Sequence, residues 1–89
     1  MKLNPNFLFQ DMGEGSFVLV PVEAAADGFH GIVRLNKTAA FIVECLGEET
    51  TEEKIMAAMA QKYEGSREQF AASLQKTLDS LRQCGALLE

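Results

Sequence analysis

The segregation of strand and helix signals along the chain constrains the fold more than any other feature. Residues 7–36 are rich in β-branched and aromatic residues interrupted by glycines, whereas residues 37–84 carry apolar residues at helical spacing. Strands that precede helices, instead of alternating with them, are typical of an α+β fold. Because 89 residues suffice for one modest core, we predict a single domain over residues 1–89.

Three strands are predicted before the first helix. A short strand around residues 7–9 leads through a glycine-rich turn to SFVLVPV, residues 16–22. Pro21 cannot donate a ladder hydrogen bond, so it marks a strand end or an exposed edge. A turn that contains an Asp-Gly pair then leads to GIVRLN, residues 31–36, as the third strand. We expect these strands to form a three-stranded antiparallel sheet.

The first two predicted helices have recognisable start and stop signals. Helix one covers residues 37–46, with Asn36 as its N-cap and Gly47 as its stop. Helix two begins near Thr50, which has capping-box spacing from Glu53, and its acidic first turn suits the helix dipole.

The third predicted helix is the longest. Ser66 and Gln69 have capping-box spacing at its start, and Gly85 supplies its C-cap. One face carries its apolar stripe at about 100° per residue, made of Phe70, Leu74, Thr77, Leu78, Leu81 and Cys84. We expect residues 87–88 to fold back on the core.

The charge and hydropathy of the chain narrow its class and its location. A net charge of -5 argues against general nucleic-acid binding, which depends on basic side chains that neutralise phosphates. No apolar run approaches the roughly 20 residues of a membrane span, and the first residues lack the layout of a secretion signal. We therefore expect a cytoplasmic protein that binds neither nucleic acid nor membrane.

The sequence offers no convincing catalytic, metal-binding or cofactor-binding group. His30 is predicted to be a solvated turn residue, and Cys45 and Cys84 fit no metal-ligand spacing and are predicted to be reduced core thiols. Paired glutamates near helix two are explained by its dipole. No glycine-rich phosphate loop precedes a helix. We therefore expect no enzyme activity and no cofactor.

Three segments resemble the PqqD-like family, named for coenzyme PQQ synthesis protein D. They are LNKTAA at residues 35–40, GEETTEEKI at residues 47–55 and QCGALLE at residues 83–89. Val43 departs from the family, which often carries tryptophan at this position in helix one. The resemblance implies a small winged-helix-like domain of three strands followed by three helices.

The same resemblance implies a function. Members of the family bind the leader segment of a ribosomally made precursor peptide and present it to a modifying enzyme, often a radical S-adenosylmethionine protein. The implied role is therefore that of a non-catalytic peptide chaperone, or precursor recognition element.

The resemblance also implies a site, because in the family the peptide adds as an extra strand beside the third strand, in a cleft walled by helix three. The peptide-binding candidates on the third strand are Ile32, Val33, Arg34 and Leu35. Those on helix three are Leu74, Leu78, Leu81 and Arg82, with Arg82 about 40° around the helix from Leu78 and placed to pair with an acidic peptide residue. Residue patterns alone leave the leucines open to a core role and Arg34 open to a solvated one.

Two alternatives come from other classes of protein. A winged-helix DNA-binding regulator suits three helices and a small sheet, but Arg67, Lys76 and Arg82 are spread around helix three instead of forming one basic face. A scaffold domain that forms a homodimer through the free edge of the third strand is the other alternative.

Overall fold

The structure, a computed structural model, describes residues 1–22 and 32–89. In chain order its elements are β1 (Lys2–Leu3), β2 (Phe7–Gly13), β3 (Ser16–Pro21), β4 (Val33–Leu35), α1 (Lys37–Cys45), α2 (Glu52–Lys62), α3 (Arg67–Cys84) and β5 (Leu87–Leu88). Strands β2, β3 and β4 form the predicted antiparallel sheet and the three helices follow it, so the α+β prediction is confirmed. The predicted Asp-Gly turn and His30 lie outside the described residues.

The hairpin of β2 and β3 is longer than the sequence indicated. We predicted a strand around residues 7–9, but β2 continues to Gly13 and pairs with β3, with a register shift between Asp11 and Gly13. Gln10 and Asp11 have weak strand propensity, yet they pair opposite Val18 and Phe17, and this ladder overrides the local preference. The turn is tight, because residues 13–15 all have positive φ.

The helix caps agree with the predicted ones at two of three N-termini. The Asn36 side chain accepts a hydrogen bond from the Ala39 N–H at 2.8 Å, which confirms the cap of α1. At α3, Ser66 and Gln69 form the reciprocal capping box. Gly85 ends α3 in the left-handed conformation with φ 79°, as a C-cap glycine should.

The predicted start of α2 is wrong by one residue. Thr51, not Thr50, is the N-cap, and its hydroxyl accepts from the Lys54 N–H at 3.2 Å. The Thr50 N–H instead donates to the Met1 carbonyl at 3.0 Å, so the backbone of this residue is held by the first residue of the chain. A contact between residues so distant in sequence leaves no local signal.

A small second sheet joins the two ends of the described chain. Strand β1 pairs antiparallel with β5, so that Leu3 lies opposite Leu87. Leu87 is buried, which confirms that this segment folds back, whereas Leu88 is 39% exposed. The sequence did not predict β1, since two residues are too few to show a period.

The core lies between one face of the sheet and the three helices. Its side chains come from every layer, and the largest of those with at most 1% exposure are Leu19, Ile42, Val43, Leu46, Ile55, Met59, Leu74, Leu78 and Leu81. Val43, the departure from the family pattern, is thus enclosed by this core. Full burial of one such side chain contributes roughly 1.5–3 kcal/mol to folding.

We expect Leu78→Ala to lower the free energy of unfolding by about 2–5 kcal/mol, because it opens a cavity beneath a fully buried side chain. Urea denaturation followed by circular dichroism measures the change. Leu8→Ala, at a side chain that is 50% exposed, is the matched control and should cost less than about 1 kcal/mol. Equal losses for the two variants would contradict the position of α3 in the core.

Candidate functional site

Strand β4 lies at an edge of the sheet. The strand order is β2-β3-β4, and β4 pairs with β3 in the register Leu19 to Val33, Val18 to Arg34 and Phe17 to Leu35. Among residues 1–22 and 32–89, no strand pairs with the other side of β4. An edge strand offers backbone N–H and C=O groups to any extended chain that comes alongside it.

A groove runs between this edge and helix α3, and we call it the β4–α3 groove. It has a volume of about 290 Å³ and is lined by Val33, Arg34, Leu35, Asn36, Thr38, Ala39, Ser73, Lys76, Thr77 and Ser80. No residue of β3 lines it, so it lies on the side of β4 that faces away from the sheet. Most of its lining side chains are small or polar, which leaves space for the side chains of an incoming chain.

All four predicted residues of the third strand are found together at this edge. Leu35 is 8% exposed and packs with the partly buried Val33 on the core side. Ile32 is 53% exposed and, like the exposed Arg34, it lies on the opposite face of the sheet, as the strand alternation requires. Their role in peptide binding remains a prediction.

The three predicted leucines of α3 do not form the wall of the groove. Leu74, Leu78 and Leu81 are fully buried with 0% exposure, which is the core role that the residue pattern had left open. A stripe of leucine side chains on a helix stabilises the fold most when it packs against the apolar core. The groove is walled instead by polar residues that lie about 100° around α3 from these leucines, namely Ser73, Thr77 and Ser80.

Arg82 also lies away from the groove. It is about 160° around α3 from Ser80, and its guanidinium pairs with Asp79 at 3.2 Å and with Glu89 at 2.8 Å. The hydrogen bond from Arg82 holds the pKa of the Glu89 carboxyl below its usual value. Arg82 therefore does not line the groove, and its role in peptide binding stays a prediction.

The groove concentrates positive charge in an acidic protein. Arg34 and Lys76 both line it, whereas no acidic side chain does so among the described residues. Neither cation forms an ion pair with any residue in the ranges 1–22 and 32–89. The net charge of the chain is -5, so this local excess of positive charge contrasts with the rest of the molecule.

A second hollow, which we call the outer hollow, flanks β4 on the face of the sheet that points away from the helices. It has a volume of about 540 Å³ and is lined by Met12, Gly15, Ser16, Phe17, Val18, Ile32, Arg34, Leu35 and Asn36. It shares Arg34, Leu35 and Asn36 with the β4–α3 groove. The sequence did not predict this hollow, although the alternation in SFVLVPV places apolar side chains on both faces of the sheet.

The three cations of α3 point in different directions. Arg67 lines a hollow between α2 and α3, Lys76 lines the β4–α3 groove, and Arg82 is held in its ion pairs. This dispersal does not provide the basic face that a recognition helix presents to DNA phosphates.

Other chemistry in the described part of the chain is sparse. No three His, Cys, Asp or Glu side chains lie close enough there to share a metal ion. Cys45 and Cys84 are free thiols half-buried against the core, and burial raises the pKa of the Cys45 thiol. Within the same residues, none of the helices has the length and apolar character that crossing a membrane requires.

The sequence profile of coenzyme PQQ synthesis protein D matches residues 16–87. The chain belongs to the PqqD family. No curated protein matches the chain as a relative.

Two solved structures are similar to this PqqD-family chain in fold. The first is TbiB1 in complex with the TbiA(beta) leader peptide, with a TM-score of 0.77 and 21% identity, covering 98% of this chain and 94% of that one. The second is lasso peptide synthetase B1 complexed with the leader peptide, with a TM-score of 0.73 and 23% identity, covering 99% of this chain and 96% of that one. These likenesses show a fold shared over almost the whole chain.

We expect Arg82→Gln to raise the pKa of Glu89 toward its usual value, because the hydrogen bond from Arg82 is the main cause of the lowering. In the native protein this pair adds stability above the unfolded-state pKa of the carboxyl, and that contribution is lost as the pH falls through the folded-state value. A carbon-13 NMR titration of the side-chain carboxyl measures the pKa. Lys76→Gln is the control, and a Glu89 pKa unchanged in Arg82→Gln would contradict the assigned pair.

Proposed function

We propose that this protein binds the leader segment of a ribosomally made precursor peptide as an added strand beside β4, and presents it to a modifying enzyme without catalysing a reaction itself. The observation that carries the proposal is the edge of β4, which no strand of residues 1–22 and 32–89 pairs with and which faces a groove walled by α3. Membership of the PqqD family supports it. The leader peptides present in both similar structures support it further.

Strand addition explains how one small domain recognises a peptide that has no fold of its own. The backbone groups of residues 32–35 hydrogen-bond to the peptide backbone and provide affinity that does not depend on sequence. Successive peptide side chains then point alternately to the α3 side and to the outer face of the sheet. Selectivity for the peptide sequence comes from the residues on each side of the added strand. These residues line the β4–α3 groove on one side and the outer hollow on the other.

The contribution of this protein to the pathway is to deliver the precursor peptide to the modifying enzyme. A modifying enzyme that docks on this protein meets the bound precursor as a tethered substrate, and tethering replaces a bimolecular encounter by a high effective concentration. A radical S-adenosylmethionine protein is the partner that we propose, and the chemistry belongs to that enzyme.

The direct test is an NMR titration with synthetic leader segments of the short precursor peptides encoded beside the gene. We expect saturable amide shifts at residues 32–36 and at residues 73–80, which flank the groove. Saturable shifts with duplex DNA, or concentration-dependent self-association that no leader peptide reverses, would instead favour one of the two alternative functions.

A substitution that fills the groove should block the peptide. Ser80 lines the groove and is exposed, so Ser80→Trp places a large ring in the path of the added strand without disturbing the core. We expect at least roughly tenfold weaker binding, or about 1.4 kcal/mol, by isothermal titration calorimetry.

Ala72→Trp provides the matched control for this substitution. Ala72 is exposed on α3 but lines none of the hollows described above, so the same ring there should leave the affinity unchanged. Equal binding by the two variants would show that the peptide does not enter the groove.

A further inference from the structure

We infer that the peptide recognised by this chain carries an acidic side chain that faces α3 and, next to it in sequence, an apolar side chain that faces the outer hollow. This inference rests on the proposed function and names the class of sequence that the same site selects. It follows from the different chemistry of the two hollows that flank β4.

The two hollows sample alternate positions of one added strand. They share Arg34, Leu35 and Asn36, so they lie on either side of the same short stretch of β4. An extended chain paired to β4 turns every second side chain to the same face. Its side chains pack beside the side chains of residues 32–35 that point the same way, which are Val33 and Leu35 toward α3 and Ile32 and Arg34 toward the outer face.

The α3 side selects an acid. Lys76 lines only the β4–α3 groove, Arg34 lines both hollows, and neither is neutralised by a described residue. Ser73, Thr77 and Ser80 add hydroxyl donors along the same wall. A carboxylate here gains charge-assisted hydrogen bonds, whereas a lysine meets uncompensated like charge.

The outer side selects an apolar residue. Met12 is 63% exposed, Ile32 is 53% exposed, and with Val18 they give the outer hollow its apolar lining. A peptide side chain that covers this lining removes apolar surface from water at roughly 25 cal/mol per Å². A lysine in the same place would lose hydration and meet the like charge of Arg34, and an acidic side chain would meet a lining that is mostly apolar.

Selection of random dodecapeptides displayed on phage, followed by sequencing, tests this pattern on the full chain. We expect wild-type protein to enrich peptides in which Asp or Glu alternates with an apolar residue. Lys76→Glu should lose the acidic preference and bind the enriched acidic peptides roughly tenfold more weakly, since one surface attraction becomes a repulsion. Ile32→Asp should lose the apolar preference.

Lys54→Glu is the matched control, because it makes the same change of charge at an exposed residue of α2 that lines none of these hollows. Its selected peptides should equal those of the wild type. Enriched peptides with no acidic preference, or an equal effect of Lys76→Glu and Lys54→Glu, would overturn this inference and leave the proposed function standing. Failure of the wild type to enrich any peptide, together with no binding of leader segments, would overturn both.

Discussion

The packing of α3 against α1 and α2 is the interaction on which the rest of the structure depends. Leu74, Leu78 and Leu81 are fully excluded from water, and with roughly 1.5–3 kcal/mol for each they supply a large share of the stability of a small domain. Their stripe fixes the rotation of the helix about its axis. Once this rotation is fixed, the residues about 100° away have to face the edge of β4.

The position of the candidate site therefore follows from the packing of the core. Ser73, Thr77 and Ser80 gain little by packing inward, yet the leucine stripe positions them as one polar wall along the edge strand β4. This arrangement separates stability from the recognition that we propose, because the two sets of residues lie on different faces of the same helix. In the proposed function, changes to the wall alter which peptide is bound while the core remains intact.

An unpaired strand edge is also a hazard, since it can pair with any exposed strand. Several features of this chain limit that risk. Strand β4 has only three residues, α1 begins directly after Asn36, and Arg34 places a charge on the strand. The polar wall of α3 also restricts access to the edge of β4. A single extended chain therefore fits beside β4 more easily than the edge of a second sheet does.

The pairing of β1 with β5 brings the two ends of the described chain together, and local sequence patterns do not predict this contact. Leu3 and Leu87 lie opposite each other, and the backbone of Leu3 donates to the Leu46 carbonyl at 2.8 Å at the end of α1. These contacts bring three distant segments together. They also explain why Thr51 caps α2, because the neighbouring Thr50 is held by the first residue of the chain.

The sequence by itself determined the order of the three sheet strands and the three helices, the caps at Asn36, Ser66 and Gly85, and the apolar stripe of α3. Each of these features depends on residues within a few positions of one another. Tertiary structure alone decided whether the apolar stripe of α3 faces the core or a groove. It also decided that Arg82 lies on the side of α3 away from β4, and at which residue β2 ends. These outcomes depend on contacts between segments far apart in the chain, and a helical period fixes which residues share a face without fixing what that face meets.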